Sequence, residues 1–341
     1  MHAPFVVLPR RWLLSTLVAV VAFLALSCSD GDASITVYSG RSQELIGPIL
    51  ERFEQESGIE VRVKYASSAE LAATLLEEGD RSPADLYIAQ DAGALGAVEA
   101  AGLFVTLDGA ILANVAEAFR SPFGAWVGLS GRARTVVYNT DNVDPAELPD
   151  SILDYTDPQW KGRIGWAPAN GSFQAFVTAL RLVHGEDAAR EWLEGIQANE
   201  PVEYPKNTPI VAAVGAGEID VGFVNHYYLH RFLVEQGESF AARNYYTAPG
   251  DVGTLINVSG AGILDSSERQ DAAAELLRFL LDTEAQRYFT EETFEYPLVA
   301  GVEANADLRS IAELQPVELD LGRLEDLEGT LKLLRATGVL P

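Results

Sequence analysis

Two rhythms of apolar and polar residues alternate along the first hundred residues that follow the N-terminal segment. Short runs at 35–38 and 59–63 are β-branched or alternate apolar with polar positions, which is typical of strands. Between them, from 42 to 57, apolar residues recur at helical spacing. A helix at 67–79, a strand at 84–89 and a helix at 92–101 follow by the same criteria. This order of strand and helix predicts a parallel sheet covered by helices.

Turn and cap residues support these element ends. Gly58 supplies the left-handed position that ends a helix, and Gly79 ends the next one. Ser67 and Glu70 have the spacing of a capping box at the start of that second helix. Pro48 lies inside the first helical stretch, so we expect it in the first turn, where its missing N–H has no partner to lose.

The second half of the chain repeats the α/β alternation. We predict strands at 134–138, 162–167, 219–224 and 258–264, and helices at 173–184, 188–197, 208–216, 267–289 (one or two) and within 319–340. The chain shows no Pro/Gly-rich linker between the two α/β units, which favours two lobes joined by crossing strands. We expect lobe 1 to comprise 34–133 and 258–309, and lobe 2 to comprise 134–257 and 310–341.

The N-terminus has the pattern of a secretory signal. Arg10 and Arg11 precede an apolar run at 12–26, too short to span a bilayer, and Ser27 precedes Cys28. The predicted signal peptide is therefore 1–27, and 28–33 is a polar tether. Residues 25–28 resemble a bacterial lipobox, which makes Cys28 a candidate for lipidation; a plain signal peptide with an incidental cysteine is the alternative. The sequence thus predicts an exported protein, periplasmic or at the cell surface, held to the membrane by lipid alone.

Composition removes several function classes. Fifty acidic residues against 24 basic ones give a net charge of −26, which argues against a nucleic-acid partner. Cys28 is the only cysteine, so a mature domain that uses it for lipid has no disulfide, thiolate zinc site or cysteine nucleophile. The chain has no Gly-rich phosphate loop and no hydrolase or zinc-protease motif. Nothing in the sequence argues for an enzyme.

One short segment does indicate chemistry. The strand predicted at 219–224 ends in Asn225-His226-Tyr227-Tyr228, and ligands of such sheets bind at the carboxyl ends of the strands. Neighbouring residues of an extended segment point to opposite sides, but at a helix start or tight turn both phenols could meet at one point. A phenolate is a hard oxygen donor that suits a hard, trivalent cation such as Fe³⁺. The alternative is a pair of half-buried tyrosines at a lobe rim.

The chain resembles the periplasmic ferric-ion-binding proteins of bacterial ABC importers, a two-lobed (type II) family. The stretches that carry the resemblance lie, in order, at 35–40, 78–86, 129–134, 162–166, 217–220, 227–228 and 295–298. The resemblance implies that Tyr227 and Tyr228 bind the metal. It also implies that Asn170-Gly171-Ser172, at a strand-to-helix turn, holds a synergistic anion, with Asn207 and Asn225 beside it. Asn207 could instead be a plain N-cap of the helix predicted from Thr208.

The sequence departs from the family at two positions. Well-known members place histidine where this chain has Ser42, and glutamate where it has Gln90. Neither residue is a convincing ferric ligand, so a carbonate or phosphate held by Arg41 and Arg134 is expected to complete the site, since a guanidinium matches an oxyanion bidentately. Tyr38 and Tyr138 are possible further phenolates, with strand packing as the alternative.

The sequence therefore predicts the iron(III)-binding component of an ABC importer. It would capture Fe³⁺ and an anion between two lobes, as a monomer, and deliver the metal to a permease and its ATPase. Two alternatives stay open: a binding protein for an oxyanion or small organic solute, such as a phosphonate or a polyamine, without metal, and a surface sensor that does not transport.

Overall fold

The computed structural model describes residues 1–2 and 34–341, and from Ser34 to Pro341 the chain is one compact unit. The predicted signal peptide (1–27), Cys28 and the tether (28–33) lie outside the described residues, apart from the first two positions. No helix among the described residues is long and apolar enough to cross a membrane.

The first part of this unit alternates strand and helix in the predicted order. Its elements are β1 (Ser34–Ser39), α1 (Gln43–Ser57), β2 (Glu60–Tyr65), α2 (Ser68–Glu78), β3 (Leu86–Ala89), α3 (Ala92–Ala100) and α4 (Gly109–Leu112). Strand β1 lies between β2 and β3 and runs parallel to both. The predicted parallel sheet is confirmed, and its carboxyl ends bring the loops after β1 and β3 together.

The rest of the chain adds a second α/β region and a return to the first. Its elements are β4 (Val127–Asn139), β5 (Ile164–Trp166), α5 (Gly171–His184), α6 (Glu186–Ala198), β6 (Val202–Glu203), α7 (Asn207–Gly215), β7 (Val221–Asn225), α8 (Tyr227–Gln236), β8 (Ala242–Tyr245), β9 (Ile256–Ile263), α9 (Gln270–Leu280), α10 (Thr283–Glu291), β10 (Tyr296–Pro297), α11 (Ile311–Leu314) and α12 (Leu327–Ala336). The strand order is β2-β1-β3-β9-β4-β7-β5-β6, and β8 and β10 also pair with β4.

Strand β4 runs through both halves of this sheet. Its first half pairs antiparallel with β9 and β10, and its second half pairs antiparallel with β7 and β8. The change of partner falls between adjacent residues, because Ala133 lies opposite Ile256 of β9 whereas Arg134 lies opposite Asn225 of β7. The strand is longer than the predicted 134–138 because its first half, rich in glycine and polar residues, lacks the apolar signal of a strand.

Burial of aromatic side chains stabilises the region around β7. Phe223 of that strand packs against Trp192 of α6 and edge-on against Tyr155, with ring centroids 5.7 and 5.5 Å apart. Phe176 of α5 packs edge-on against the same Trp192 at 5.4 Å. All four rings are buried, and each such side chain contributes on the order of 2–3 kcal/mol through burial alone. The end of β7 therefore rests on a rigid base.

Glycine at position 40 brings the loops after β1 and β3 together. A Cβ there would lie 2.1 Å from Oγ of Ser68, the first residue of α2. That same hydroxyl accepts the backbone N–H of Gln90 at 2.8 Å, and the Ser68 carbonyl accepts the Tyr87 hydroxyl at 2.7 Å. Only glycine allows this approach, so Gly40 sets the position of Arg41 relative to Gln90.

Two local expectations are wrong, and the number of helices in a third stretch is settled. Helix α1 begins at Gln43, so Pro48 is its sixth residue and not in the first turn; Pro48 is exposed, and the buried apolar face of α1 compensates for the lost hydrogen bond. Helix α7 begins at Asn207 with Lys206 as its N-cap, so Asn207 is not the cap. The stretch 267–289 forms two helices, α9 and α10. Gly58, by contrast, has the expected left-handed conformation at φ 73°.

The C-terminal segment contacts helices from both α/β regions. The short helix Leu321–Glu325 packs on α3 so closely that a Cβ at Gly93 would lie 2.5 Å from the carbonyl oxygen of Leu324. Helix α12 packs on α5, where the Thr330 and Thr178 hydroxyls share a buried 2.6 Å hydrogen bond. The sequence places all of 310–341 in lobe 2, whereas Leu321–Glu325 packs on a helix predicted in lobe 1.

Candidate functional site

The two adjacent tyrosines occupy the first turn of α8, directly after β7. In this first turn the two tyrosine rings stack, with centroids 4.2 Å apart and an angle of 29° between the ring planes. Tyr227 is fully buried, yet its hydroxyl has no hydrogen-bond partner among the described residues. Burial, and then the neighbouring Tyr227, raises the pKa of Tyr228 well above its ordinary value. The phenols therefore converge, and one of them lacks the partner that a buried hydroxyl requires.

The residue before the pair holds the turn in place. His226 is fully buried: its Nδ1 accepts the backbone N–H of Ala133 at 3.1 Å, and its Nε2 donates to the carbonyl oxygen of Phe294 at 2.8 Å. This pattern requires a neutral ring, and burial lowers the pKa of His226 to about 3. His226 thus connects the start of α8 to β4. Both of its ring nitrogens are occupied by backbone hydrogen bonds, so neither is available to bind a ligand.

Arg41, after β1, approaches the tyrosines from the other side. Its guanidinium lies 5.9 Å from the centroid of the Tyr227 ring. Glu295 binds this guanidinium and also accepts the Ser130 hydroxyl, and both charged side chains are buried. Burial acts to lower the pKa of Arg41, but Glu295 and the two tyrosines raise it above its ordinary value. Its Nη1 still has no partner, so Arg41 is positioned by Glu295 with one donor free.

Arg134 is the first residue of the second half of β4. It donates to Oδ1 of Asn225 at 3.3 Å, and its guanidinium lies 5.5 Å from the centroid of the Phe176 ring. Arg134 is 3% exposed, and this burial lowers its pKa, with Tyr228 acting in the opposite direction. The amide nitrogen of Asn225 has no partner. The predicted residues Arg134 and Asn225 are therefore brought together beside the tyrosines.

The predicted anion loop lies at the start of α5. Asn170 caps this helix: its Oδ1 accepts the backbone N–H of Ser172 at 3.0 Å and the Ser172 hydroxyl at 2.5 Å. The amide nitrogen of Asn207 reaches the same hydroxyl at 3.5 Å, and Asn207 also contacts the Tyr228 hydroxyl. Oδ1 of Asn207 is buried without a partner. An anion bound at this helix N-terminus would compete with Oδ1 of Asn170 for the N–H and hydroxyl donors of Ser172.

Sequence reasoning missed the most unusual residue of the site. Arg132 is 1% exposed, and all three of its guanidinium nitrogens lack a hydrogen-bond partner among the described residues. Asn257 lies opposite it on β9, and its amide nitrogen is also unpaired. Asp91 is close enough for Arg132 to oppose the rise in pKa that burial imposes on its carboxyl group, but the two form no ion pair. A buried, unpaired guanidinium requires an anion.

The signal for Arg132 was present in the sequence. Arg132 and Arg134 are two apart on one strand, so their side chains leave the same face of β4. The predicted strand began at Arg134, because the change of pairing partner between the two arginines cannot be seen from their spacing. Gly171 of the anion loop also lies close to Asp91, since a Cβ there would be 3.3 Å from Oδ2 of Asp91.

Two candidate phenolates are not brought to this site. The Tyr38 hydroxyl donates to both carboxylate oxygens of Glu78, at 3.0 and 3.2 Å, and its ring lies under the Lys64 ammonium. Tyr138 pairs with Val221, at the opposite end of β7 from Asn225. It lies four positions after Arg134 along β4, or roughly 13 Å away. Both tyrosines therefore pack as part of their strands, and neither adjoins Tyr227 and Tyr228 in this structure.

Ser42 and Gln90, the positions that depart from the family pattern, line one open cavity in front of the tyrosines. Its volume is about 700 Å³, and its walls come from the loops after β1 and β3 on one side and from α5, α7 and α8 on the other. Ser42 is exposed and Gln90 half-buried. A cavity of about 1200 Å³ lies elsewhere on the surface, but none of the unpaired site residues lines it, whereas Arg41 and Tyr228 line the cavity in front of the tyrosines, so we assign the site to this cleft.

The unpaired groups define what the site can hold. Among the described residues, no cluster of three or more His, Cys, Asp or Glu side chains could hold a metal ion. Hydrogen-bond donors without partners instead come from the elements around the tyrosine pair: Arg41 beside the Tyr227 ring, Arg132 and Asn257 opposite each other on β4 and β9, Asn225 at the end of β7, and the Tyr227 hydroxyl itself. Cationic and amide donors fit an oxyanion, and two phenols fit a hard cation. The geometry therefore suits a cation and an anion bound together.

Comparison with known proteins agrees with this geometry. Residues 81–319 match the family model described as bacterial extracellular solute-binding protein. The chain belongs to this family. It is 36% identical over 326 residues to the major ferric iron-binding protein of Neisseria meningitidis serogroup A, covering 94% of this chain and 98% of the relative. It is 32% identical over 323 residues to the Fe(3+)-binding periplasmic protein of Serratia marcescens, covering 94% and 95%.

Solved structures in the family have the same fold. Iron-bound HitA from Pseudomonas aeruginosa matches with a TM-score of 0.86 at 33% identity, covering 90% of this chain and 99% of that one. The apo ferric ion-binding protein A of Pasteurella haemolytica matches with a TM-score of 0.80 at 28% identity, covering 89% and 98%. The resemblance inferred from the sequence motifs is confirmed. The chain has the two-lobed, type II periplasmic-binding-protein fold, with β4 paired in both halves of the sheet, and its relatives are binding proteins.

Proposed function

We propose that this protein is the iron(III)-binding component of an ABC importer. One observation carries the proposal: Tyr227 and Tyr228 converge at the end of β7, beside buried donors that lack partners. The ordinary pKa of a tyrosine phenol is about 10, so removing its proton at neutral pH requires a strongly Lewis-acidic cation. Ferric iron is the hard, trivalent ion that meets this requirement, and the relatives named above are ferric-binding proteins.

The anion would be carbonate or phosphate, bound by arginines. Arg41 offers a free Nη1, and Arg132 offers three unpaired nitrogens. Burial lowers the pKa of Arg134, so a neighbouring negative charge would stabilise its charged form. Asn207, Asn225 and the loop Asn170-Gly171-Ser172 would bind the anion's remaining oxygens. Ser42 and Gln90 are neutral, so such anions would occupy the coordination positions of the metal that face the cleft.

The cellular setting is part of the same proposal. The chain would be exported with residues 1–27 as signal peptide and anchored through lipidated Cys28, with 28–33 as tether. Lobe 1 (34–133 and 258–309) and lobe 2 (134–257 and 310–341) would close over iron as a monomer and deliver it to a permease and its ATPase. No catalysis is involved.

The visible spectrum of the purified protein tests the metal. Loading with ferric iron in bicarbonate buffer should produce an orange-red tyrosinate-to-iron charge-transfer band. Tyr227→Phe and Tyr228→Phe should each weaken or shift the band, and the double variant should abolish it. Tyr138→Phe serves as the control, since this tyrosine lies at the far end of β7, and it should leave the band unchanged.

The spectrum also separates the competing function. An oxyanion-binding protein without metal is favoured by one observation, the unpaired guanidinium of Arg132. That function predicts no coloured band under any iron loading, together with saturable binding of phosphate or a phosphonate in calorimetry that Arg132→Met abolishes. A coloured band lost in the tyrosine variants would rule it out.

A further inference from the structure

The C-terminal residues 321–336, which we call the strap, pack on two helices that begin at opposite walls of the cleft. Helix α3 starts shortly after Gln90, and α5 starts in the loop Asn170-Gly171-Ser172. The short helix Leu321–Glu325 packs on α3, whereas α12 packs mainly on α5. The strap therefore connects the two walls at a place separate from the β-sheet.

Two glycines of α3 allow the strap to lie directly on this helix. A Cβ at Gly93 would be 2.5 Å from the carbonyl oxygen of Leu324, and a Cβ at Gly96 would be 2.9 Å from Cβ of Glu325. Both distances are shorter than van der Waals contact allows, so a larger residue at either position would displace the strap. Leu321 and Leu324 are buried, and their burial holds this end of the strap in place.

The other end of the strap is bound to α5. The Thr330 and Thr178 hydroxyls share the buried 2.6 Å hydrogen bond described above, and Nη1 of Arg181 donates to the Thr330 hydroxyl at 2.9 Å. Leu333 and Leu334 of α12 are also buried. Neither end of the strap can leave its helix without exposing apolar side chains and breaking buried contacts.

A single residue, Asp326, joins the two ends of the strap. It follows the short helix and caps α12, where its Oδ1 accepts the backbone N–H of Gly329 at 2.9 Å. Arg181 of α5 donates to the Asp326 carboxylate at 2.8 Å and to its backbone carbonyl oxygen at 3.2 Å. Because the strap has no other residue between its two ends, a movement of α3 relative to α5 must be taken up mainly by the backbone dihedral angles of Asp326.

We propose that the strap limits how far the cleft opens and thereby slows the release of the bound ion. This inference rests on the proposed function, since it concerns the movement that would expose the iron site. Strand β4, which changes its pairing partner between Ala133 and Arg134, provides one connection between the two halves, and Asp326 provides another. Two connections at separate places restrict a rotation more than one does, because the rotation axis must pass close to both.

Pulsed EPR measurement of the distance between two spin labels tests the proposal without iron. Cys28 is the only cysteine of the chain, so Cys28→Ser combined with Glu77→Cys and Glu191→Cys allows labels at exposed positions of α2 and α6 alone. Insertion of two glycines between Glu325 and Asp326 keeps both packed ends and lengthens the junction. The inserted chain should give a broader distance distribution than the labelled parent.

The same insertion after Gly301, in an exposed turn, is the control and should leave the distribution unchanged. A second variant, Thr178→Val/Arg181→Met, removes the side-chain bonds to the strap without changing the chain length, and it should also broaden the distribution. A strap insertion that folds, as judged by circular dichroism, and keeps the distribution of the parent would overturn the proposal. If the insertion prevents folding, an unchanged distribution in the second variant would overturn it.

The rate of iron transfer to an external chelator measures the consequence for release. The strap insertion should release iron roughly fivefold faster than wild type, at the lower end of typical coupling between distant parts of a protein. Equal rates would overturn the link between the strap and release. A failure of the iron function itself looks different, because no charge-transfer band would form in the wild type while the label distances would still test the strap.

Discussion

The buried ion pair between Arg41 and Glu295 leads to a quantitative prediction. Glu295→Gln keeps the shape of the side chain and the acceptor for Ser130, but it removes the negative charge from a guanidinium that is 1% exposed. Removing one partner of a buried pair costs about 3–5 kcal/mol, because the other charge remains buried without compensation. That cost is a large part of the ~5–15 kcal/mol by which a typical domain is stable.

Urea unfolding followed by circular dichroism measures this loss. With a slope near 3 kcal/mol/M, the midpoint should fall by about 1 M or more. Glu238→Gln is the matched control, because it removes the same charge from an exposed pair with Arg243 and should leave the midpoint almost unchanged. A midpoint for Glu295→Gln within 0.2 M (roughly the error of the method) of wild type would refute the reasoning.

The same variant reports on the anion. If Arg41 binds an oxyanion through its free Nη1, saturating phosphate or bicarbonate gives the unpaired guanidinium a new counter-charge. The loss of stability of Glu295→Gln should then shrink when the anion is present, whereas that of an unrelated core variant such as Phe223→Leu should stay the same. Equal losses with and without anion would mean that Arg41 does not contact it.

Four further predictions concern single residues or protons. Gly40→Ala should destabilise the protein by about 1–3 kcal/mol in thermal unfolding, since its Cβ would meet the Ser68 hydroxyl at 2.1 Å; wild-type stability would show that this loop is free to move. Thr330→Val should cost about 1 kcal/mol by breaking the 2.6 Å bond to Thr178, and an unchanged melting temperature would argue against that bond. The pKa of His226 is lowered to about 3 in the folded state, so its contribution to stability is complete above pH 6.5 and is lost as the pH falls from 6.5 toward 3. His226→Asn should make the free energy of unfolding less dependent on pH in this range. An equally steep dependence in the variant would count against this role of His226. Iron affinity should rise by about two log units per pH unit near neutrality, since two phenols lose protons on binding; a slope of one would leave a single tyrosine ligand.

Much of the fold follows from local sequence patterns. Alternation and helical spacing were enough to place β1 to β3 with their helices, and Gly58 ended α1 in the conformation that its lack of a side chain allows. Pro48 was misplaced because the start of α1 depends on how its apolar face packs and not on proline alone. The first half of β4 escaped notice since its strand character comes from pairing with β9 and β10.

The candidate site likewise has some residues that could be predicted from local sequence and others that depend on the packing of distant elements. The convergence of Tyr227 and Tyr228 could be predicted because it needs only a helix start after a strand. Arg132 could not be recognised as unpaired from sequence, since that depends on what β9 and α3 place around it. Tyr38 could be assigned from sequence to a face of β1 but not to the cleft, because alternation does not tell which face of a strand meets the cleft. Its hydrogen bond to Glu78 becomes visible only in the structure.

Strand β4 places Arg132 and Arg134 on either side of the point where its pairing partner changes. Arg132 belongs to the half that pairs with β9, and Arg134 to the half that pairs with β7. An anion bound by both arginines, as proposed above, would bridge the two halves of the sheet. A movement that separated these halves would also separate the two guanidinium groups and weaken their hold on the anion. Release of the anion would then be coupled to opening of the cleft.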